Sequence, residues 1–291
     1  MFKGSIVALV TPFKGNDIDE SSLRKLVDWH ISEGTDGIVP VGTTGESPTL
    51  NHDEHERVVE IVIDQCNRRV PVIAGTGSNS TAEAINLLKH AENAGADAAL
   101  VVTPYYNKPT PEGLYAHYEA LDRASSGIPV IIYNIPSRSV IDINVDLMGR
   151  LSRLQSIVGV KDATSDISRI KKHNELCEDG FIQLSGEDET IYEYMINGGQ
   201  GCISVTANIL PKVCSDMHKA FSNNDLEEAK RLNNILMPLH KALFIETSPS
   251  PVKYILSKMN LIDYEVRLPL VKIRQETKSM LDEIISNLEI K

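Results

Sequence analysis

The chain has 291 residues, a length that suits either two ordinary domains or one barrel with an appendage. Hydrophobic residues make up 42% of it and charged residues 24%, which is typical of a globular protein. The formal net charge is -11 and no lysine/arginine cluster is present, which argues against nucleic acid or an anionic membrane surface as a partner. The four cysteines show no C-x-x-C spacing, and the apolar run at the N-terminus lacks signal-peptide features. The sequence therefore predicts a cytoplasmic protein.

Short runs rich in β-branched residues recur along the chain, with helical patterns between them. These runs are continuously apolar rather than alternating, as expected for parallel strands covered on both faces. The predicted strands are SIVALV from Ser5, GIVPV from Gly37, VPVIAG from Val70, AALVV from Ala98, PVIIY from Pro129, SIVGV from Ser156, FIQLS from Phe181 and GCISV from Gly201.

Helix-start signals separate several of these runs. Asn51 followed by Glu54, and Ser80 followed by Glu83, resemble capping boxes. Eight strands alternating with helices predict an α/β fold, a TIM (β/α)8 barrel over residues 1–224. No strand pattern follows, and helices broken at Pro238, at residues 248–251 and at Pro269 predict a C-terminal helical appendage over residues 225–291.

In such barrels the active site lies at the carboxyl ends of the strands. Lys161 ends the sixth predicted strand, directly after an apolar run. Desolvation there disfavours the charged ammonium, and a neutral amine can attack a ketone to form an iminium, which is an electron sink. The alternative is a lysine that begins a solvated loop.

Two further side chains end or follow the fifth predicted strand, next to the strand of Lys161. The phenol of Tyr133 could donate and accept protons as such adducts form, although a tyrosine that caps the barrel core is the alternative. Arg138 could hold a carboxylate through both of its terminal nitrogens, and a surface arginine is the alternative.

The turn after the second predicted strand reads Gly42-Thr43-Thr44-Gly45. It offers backbone N–H groups and two hydroxyls, which suit a carboxylate or phosphate oxygen. Gly75-Thr76-Gly77 lacks the third glycine of a dinucleotide fingerprint and is interpreted as a tight turn. The cluster His52, Glu54, His55 and Glu56 lacks the H-E-x-x-H spacing, so no metal site is predicted.

Four ordered motifs at successive strand ends resemble one family. GTTGES at Gly42, TPYYNKP at Thr103, YNIPSR at Tyr133 and GVKDAT at Gly159 are similar to the dihydrodipicolinate synthase / N-acetylneuraminate lyase family of class I aldolases. The resemblance covers nearly the whole chain. It implies that pyruvate forms a Schiff base on Lys161 without a metal or organic cofactor, and that the resulting enamine attacks L-aspartate 4-semialdehyde.

The resemblance also implies roles for individual residues. A proton relay would comprise Tyr133, Thr43 and Tyr106, with Tyr106 supplied by a neighbouring subunit of a homotetramer built as a dimer of dimers. Thr43 and Thr44 would bind the pyruvate carboxylate, and Arg138 the carboxylate of the semialdehyde. Gly186 and Ile203 would line the pyruvate pocket through their backbones.

Some family members are inhibited by L-lysine, and a matching site is implied here. Its residues are Ser47, His52, His55, Asn79, Glu83 and Tyr105. Pro48 differs from the small residue often found in lysine-sensitive members. A second departure is Ser139-Val140 after Arg138, where the family often has Thr-Gly, and it leaves the shape of that loop open.

Three other functions remain to be separated from this one. A sugar-acid lyase of the same family, acting on N-acetylneuraminate or a 2-keto-3-deoxy acid, would keep Lys161 and Tyr133, but Arg138 and the GTTGE motif argue against it. A non-catalytic barrel that senses lysine or pyruvate is disfavoured by the joint presence of Lys161, Tyr133, Thr43 and Tyr106. A metal-dependent barrel that binds phosphate is disfavoured by the missing ligand cluster.

Overall fold

A computed structural model of the chain describes residues 2–290. It contains eight parallel strands, each at a position where the sequence predicts one. They are β1 (Gly4–Ala8), β2 (Gly37–Val39), β3 (Ile73–Gly75), β4 (Ala98–Val102), β5 (Val130–Asn134), β6 (Ile157–Asp162), β7 (Ile182–Ser185) and β8 (Gly201–Ser204). A short antiparallel hairpin, Phe13–Lys14 paired with Asp17–Ile18, follows β1.

Helices connect the strands and follow them. They are α1 (Glu20–Ser32), α2 (His52–Cys66), α3 (Thr81–Ala94), α4 (Pro111–Ala124), α5 (Val145–Leu151), α6 (Ser168–Leu176), α7 (Ile191–Ile196), α8 (Pro211–Ser222), α9 (Leu226–Ala242), α10 (Ser250–Lys258) and α11 (Gln275–Asn287). Helical single turns occur at Ser47–Thr49, Pro136–Ser139 and Thr206–Asn208. In the described part of the chain, none of the helices is long and apolar enough to cross a membrane.

The eight strands close into a barrel. They pair in the order β2-β1-β8-β7-β6-β5-β4-β3. Between β2 and β3 an isolated parallel bridge joins Ile38 to Val72, and the amide of Ile38 donates to the carbonyl of Pro71 at 3.0 Å. The predicted TIM barrel is therefore confirmed, and the carboxyl ends of all eight strands lie at one rim.

Alternate strand residues face two separate apolar cores. One core fills the barrel interior and includes Ile6, Tyr133, Leu184 and Ile203. The other lies between the barrel and its helices, as the apolar face of α1 illustrates. On that helix Leu23, Leu26, Val27 and His30 are buried at helical spacing.

Of the two predicted capping boxes, one is complete and the other is only partly formed. Asn51 and Glu54 form the complete capping box of α2, with both reciprocal bonds present. Ser80 accepts from the amide of Glu83, but the Glu83 carboxylate turns instead to Ser78 and His52. The second box is therefore only half formed, because a side-chain partner competes for the glutamate.

The predicted break at Pro238 is wrong. Helix α9 runs from Leu226 to Ala242 with Pro238 inside it. Both Pro238 and Asn234, whose carbonyl loses its helical partner, are exposed. Water can therefore satisfy the freed carbonyl, while the buried face of the helix stays packed.

The segment after the barrel consists of helices α9 to α11 and their connections, with no strand in the described residues. The predicted boundary at residue 225 falls in the turn between α8 and α9, where Asp225 caps α9. Residues 1 and 291, the outer limits of the two predicted segments, lie outside the described residues. The division into two domains stays a prediction.

Candidate active site

Lys161 and Tyr133 lie side by side at the strand ends. They are directly paired in the register of β5 and β6, so both side chains point into the barrel. Each residue is 6% exposed, and the Nζ of Lys161 lies 4.1 Å from the centre of the Tyr133 ring. The amine that the sequence predicts as a nucleophile is thus buried against the phenol that it predicts as a proton carrier.

Gly186, at the end of β7, leaves room for the lysine side chain. A Cβ at this position would lie 3.2 Å from the Cε of Lys161 and 2.7 Å from the Cβ of Ala163. The amide of Gly186 donates to the carbonyl of Asp162 at 2.7 Å, which fixes its distance from β6. Any larger residue there would displace either Lys161 or the chain after it.

A cavity of about 450 Å³ opens beside this pair. Tyr133 forms part of its wall, whereas Lys161 does not line it and lies against the Tyr133 ring. Thr43 and Arg138 also line it, so two groups predicted to bind carboxylates face one space. Thr44 is buried next to Thr43 in the same turn, and Ile203 is buried in the barrel interior with Tyr133.

The predicted inhibitor residues lie largely in the same cavity. Its wall includes Ser47, His52, His55, Glu83 and Tyr105. Asn79 stands apart from the wall, and its carbonyl accepts from the side chain of Asn107 at 2.8 Å, which ties it to the loop after β4.

Tyr106 points away from the site of its own chain. Its side chain is 89% exposed and its φ is +71°, in the left-handed region that non-glycine residues seldom adopt. The structure therefore does not bring Tyr106 to Lys161 within one chain. An aromatic ring held in this way is typical of a contact with another molecule.

The histidine and glutamate residues clustered at the start of α2 contact different partners. His52 Nε2 lies 2.7 Å from Glu83 Oε1, and Glu54 completes the helix cap and pairs with Arg267. His55 is buried, and burial lowers the pKa of its imidazole to about 4, so it is neutral at pH 7.

A buried arginine joins the end of β6 to the loop after β5. Arg169, on α6, lies 3.2 Å from Asp162 and 2.9 Å from Asp142. Asp142 in turn accepts from the side chain of Asn134, the last residue of β5, at 2.8 Å. The strand ends that carry Tyr133 and Lys161 are therefore fixed to each other beyond the barrel as well as within it. The sequence did not predict this role of Arg169, because no local pattern distinguishes a buried arginine on a helix from an exposed one.

Val140 takes the place where the family often has glycine, and its φ is +63°. Its side chain is 63% exposed, while the hydroxyl of the neighbouring Ser139 is buried and donates to the carbonyl of Ile135 at 2.9 Å. The loop thus keeps a backbone shape that suits glycine, and a β-branched residue there is strained. The hydrogen bond from the Ser139 hydroxyl stabilises the shape of the loop after Arg138.

Glu187 is a titratable group that the sequence reasoning did not single out. Burial raises the pKa of its carboxyl to about 7, and the Asp188 carboxylate adds to that rise, whereas Lys161 and Arg138 oppose it. It follows Gly186 directly and so lies at the strand end next to Lys161. Its position after a predicted strand was visible, but its burial was not.

Comparison with known proteins identifies the family. The model of the dihydrodipicolinate synthetase family matches residues 1–288. The chain belongs to this family. A 4-hydroxy-tetrahydrodipicolinate synthase of Pelagibacter ubique is 57% identical over 288 residues, which cover 98% of each protein.

Two solved structures of the family are close in shape. The chloride-inhibited dihydrodipicolinate synthase of Acinetobacter baumannii, complexed with pyruvate, is 48% identical with a TM-score of 0.97, and the match covers 100% of both chains. The enzyme of Cyanidioschyzon merolae, with lysine bound, is 32% identical with a TM-score of 0.96, and the match covers 100% of this chain and 99% of the other. The predicted family and enzyme class are therefore confirmed.

Proposed function

We propose that this chain condenses pyruvate with L-aspartate 4-semialdehyde, as a 4-hydroxy-tetrahydrodipicolinate synthase of the diaminopimelate and lysine pathway. The observation that carries the proposal is the buried Lys161 amine against Tyr133, beside a cavity that Thr43 and Arg138 also line. Two carboxylate-binding groups in one space suit two small acidic substrates.

Chemistry on Lys161 follows from its position. The amine attacks the ketone of pyruvate to give a carbinolamine, and a proton delivered to its hydroxyl lets it leave as water and gives an iminium. Loss of a methyl proton then gives an enamine, whose carbon attacks the aldehyde of the second substrate. The amine of that substrate closes the ring and displaces Lys161. The lysine itself is the electron sink, so the proposed reaction needs no metal or organic cofactor.

Proton transfers accompany each addition and each loss of water. The centre of the Tyr133 ring lies 4.1 Å from the reacting amine, and Thr43 lines the same cavity as Tyr133. With Tyr106 of a second chain they would form a relay that moves protons without bulk water. Thr43 and Thr44 bind the pyruvate carboxylate, Arg138 binds that of the semialdehyde, and Gly186 and Ile203 shape the pyruvate pocket.

The direct test is turnover by the purified chain. With pyruvate and L-aspartate 4-semialdehyde, we expect product formation that is saturable in both substrates, measured in a coupled assay. N-acetylneuraminate and 2-keto-3-deoxy acids should not be cleaved. Cleavage of a sugar acid would favour the lyase alternative, and a chain that binds pyruvate but turns over neither substrate would favour the sensing barrel.

L-lysine is the proposed inhibitor. Glu83 is held ionised, since hydrogen bonds from Ser78 and then from His52 keep the pKa of its carboxyl below the usual range. An ionised carboxylate beside the neutral His55 can pair with the α-ammonium of lysine while the imidazole contacts its side chain. Ser47, Asn79 and Tyr105 would complete the site.

Inhibition should therefore depend on Glu83. We expect millimolar L-lysine to lower the initial rate, and Glu83→Gln to raise the inhibition constant by about tenfold or more through loss of a charged contact. Because the pKa of His55 is about 4, its protonation should not alter inhibition between pH 6 and 9. The matched control is Glu112→Gln on α4, where Glu112 forms an exposed pair with Arg150 of α5. An unchanged rate in millimolar lysine would refute this site.

A homodimer is the proposed minimal active unit, with a dimer of dimers as the assembly. The support is Tyr106, whose ring is exposed in the single chain although the proposed relay requires it. A cytoplasmic location also stays a prediction.

A further inference from the structure

A completely buried ion pair joins the turn after β2 to the helices beyond the barrel. Glu46 ends the Gly42–Glu46 turn, and Lys253 lies in the middle of α10. Both side chains are 0% exposed, and they form a direct salt bridge. Lys253 Nζ also donates to the carbonyl of Glu265 at 3.0 Å and lies 4.1 Å from the centre of the Phe13 ring.

The other carboxylate oxygen of Glu46 is held from the same region. The amide of Arg267 donates to it at 3.0 Å. The guanidinium of Arg267 lies 4.3 Å from the centre of the Phe13 ring and pairs with Glu54 at the start of α2. It also donates to the carbonyl of Thr49 at 3.1 Å. Both ends of the segment from Glu46 to Glu54 are thus tied to residues outside the barrel.

Glu46 sets the shape of the turn that carries the two threonines. Its φ is +56°, in the left-handed region, which is unfavourable for a non-glycine residue. Its amide donates to the carbonyl of Thr43 at 3.1 Å, and the hydroxyl of Thr11 donates to the carbonyl of Gly45 at 2.7 Å. Contacts on the Glu46 side chain from outside the turn can stabilise this conformation, and the ion pair with Lys253 and the bond from the Arg267 amide are two such contacts.

Stability alone does not account for a buried pair of this kind. Desolvation of both charges offsets most of their attraction, and well-packed neutral residues are often as stable. Burial lowers the pKa of Lys253 to about 8, whereas the Glu46 carboxylate opposes that shift. What the pair provides is a fixed direction and distance between the turn and α10.

We propose that Glu46 and Lys253 are positioning residues, which hold the Thr43-Thr44 turn so that its hydroxyls and amides meet the carboxylate of the keto acid. The proposal rests on the function proposed above, since it concerns the affinity of that site for pyruvate. It implies that α10, outside the barrel, sets part of the affinity of a site inside it.

The test measures pyruvate affinity separately from stability. The variants are Lys253→Met, Glu46→Gln and the double variant. The control is Lys258→Met, which lies on the same helix as Lys253 and forms an exposed pair with Asp282 of α11. The readouts are the pyruvate concentration that half-saturates borohydride trapping on Lys161, the rate at saturating pyruvate and the thermal midpoint.

We expect each single variant to raise the half-saturation concentration by about tenfold or more, as for loss of a charged contact, while the saturated rate falls by less. The control should change it by less than about twofold, as for an exposed pair. In the double variant the thermal midpoint should return close to that of the parent, because no uncompensated charge remains, but the half-saturation concentration should stay raised.

Two results would overturn the proposal. One is a double variant whose thermal midpoint and half-saturation concentration both return to the parental values. Each partner would then serve only to neutralise the buried charge of the other. The other is a set of single variants with a lowered midpoint and unchanged half-saturation. If Lys253→Met does not fold, Glu46→Gln decides the question alone, because it keeps the volume of the side chain. A parent chain that traps no pyruvate would instead overturn the proposed function, and this inference with it.

Discussion

Lys161→Met should lower the rate of condensation by roughly four orders of magnitude or more, because it removes the covalent route and leaves only binding of the substrates. Methionine has a similar length and no charge, so the buried site, where Lys161 is 6% exposed, can accept it without unfolding. The measurements are kcat with both substrates and the thermal midpoint of the variant.

Borohydride trapping gives the same prediction a chemical readout. Reduction in the presence of pyruvate should add one pyruvate-derived group to the parent chain, and mass spectrometry should map it to Lys161. The variant should carry no adduct. Lys171→Met, at an exposed lysine of α6, is the control and should keep both the adduct and the rate. An adduct on any other residue, or a variant that retains its rate, would contradict the assignment.

The presence of each strand was predictable, because each is a continuous apolar run between helical patterns. The first and last residues of the strands were less predictable, as the third strand shows. The run from Val70 predicts a strand that starts there, but the strand starts at Ile73. Pro71 lies in between and has no N–H to donate, although its carbonyl accepts from Ile38.

Adjacency in the site was predictable from chain order. Consecutive strands of a parallel barrel are neighbours, so Tyr133 and Lys161 had to be close once both were placed at strand ends. Their direct pairing in register needed only the strand limits. The placement of the Thr43-Thr44 turn and of Arg138 near this pair was predictable in the same way, because they come directly after β2 and β5.

Contacts between distant segments were not predictable. Nothing near Glu46 in the sequence indicates Lys253, and nothing near Asp162 indicates Arg169. The one local signal for Lys253 is its place among apolar residues, Val252 and Tyr254 to Leu256, which shows that a helix is buried all round but not what neutralises the charge. Pro238 is the converse case, since a local signal for a break was overridden by the packing of the whole helix.

Tyr106→Phe should lower kcat by about 10²–10⁴-fold, the range expected for loss of a proton-transfer group, if a neighbouring chain supplies this phenol. The ring of phenylalanine keeps the shape of the contact, so only the hydroxyl is tested. The side chain is 89% exposed in the single chain, so the substitution should leave the thermal midpoint of each folded chain almost unchanged.

Mixing two inactive variants tests whether the site is shared. In a heterodimer of Tyr106→Phe with Lys161→Met, the chain that keeps Lys161 receives Tyr106 from its partner and forms one complete site. After equal mixing and reassociation, about a quarter of the parental activity should return, since half of the dimers are mixed and each has one complete site. Tyr133→Phe with Lys161→Met is the control. Those two residues pair on adjacent strands of one chain, so no mixed dimer contains a complete site. If the first mixture stays inactive like the second, Tyr106 acts within its own chain or not at all.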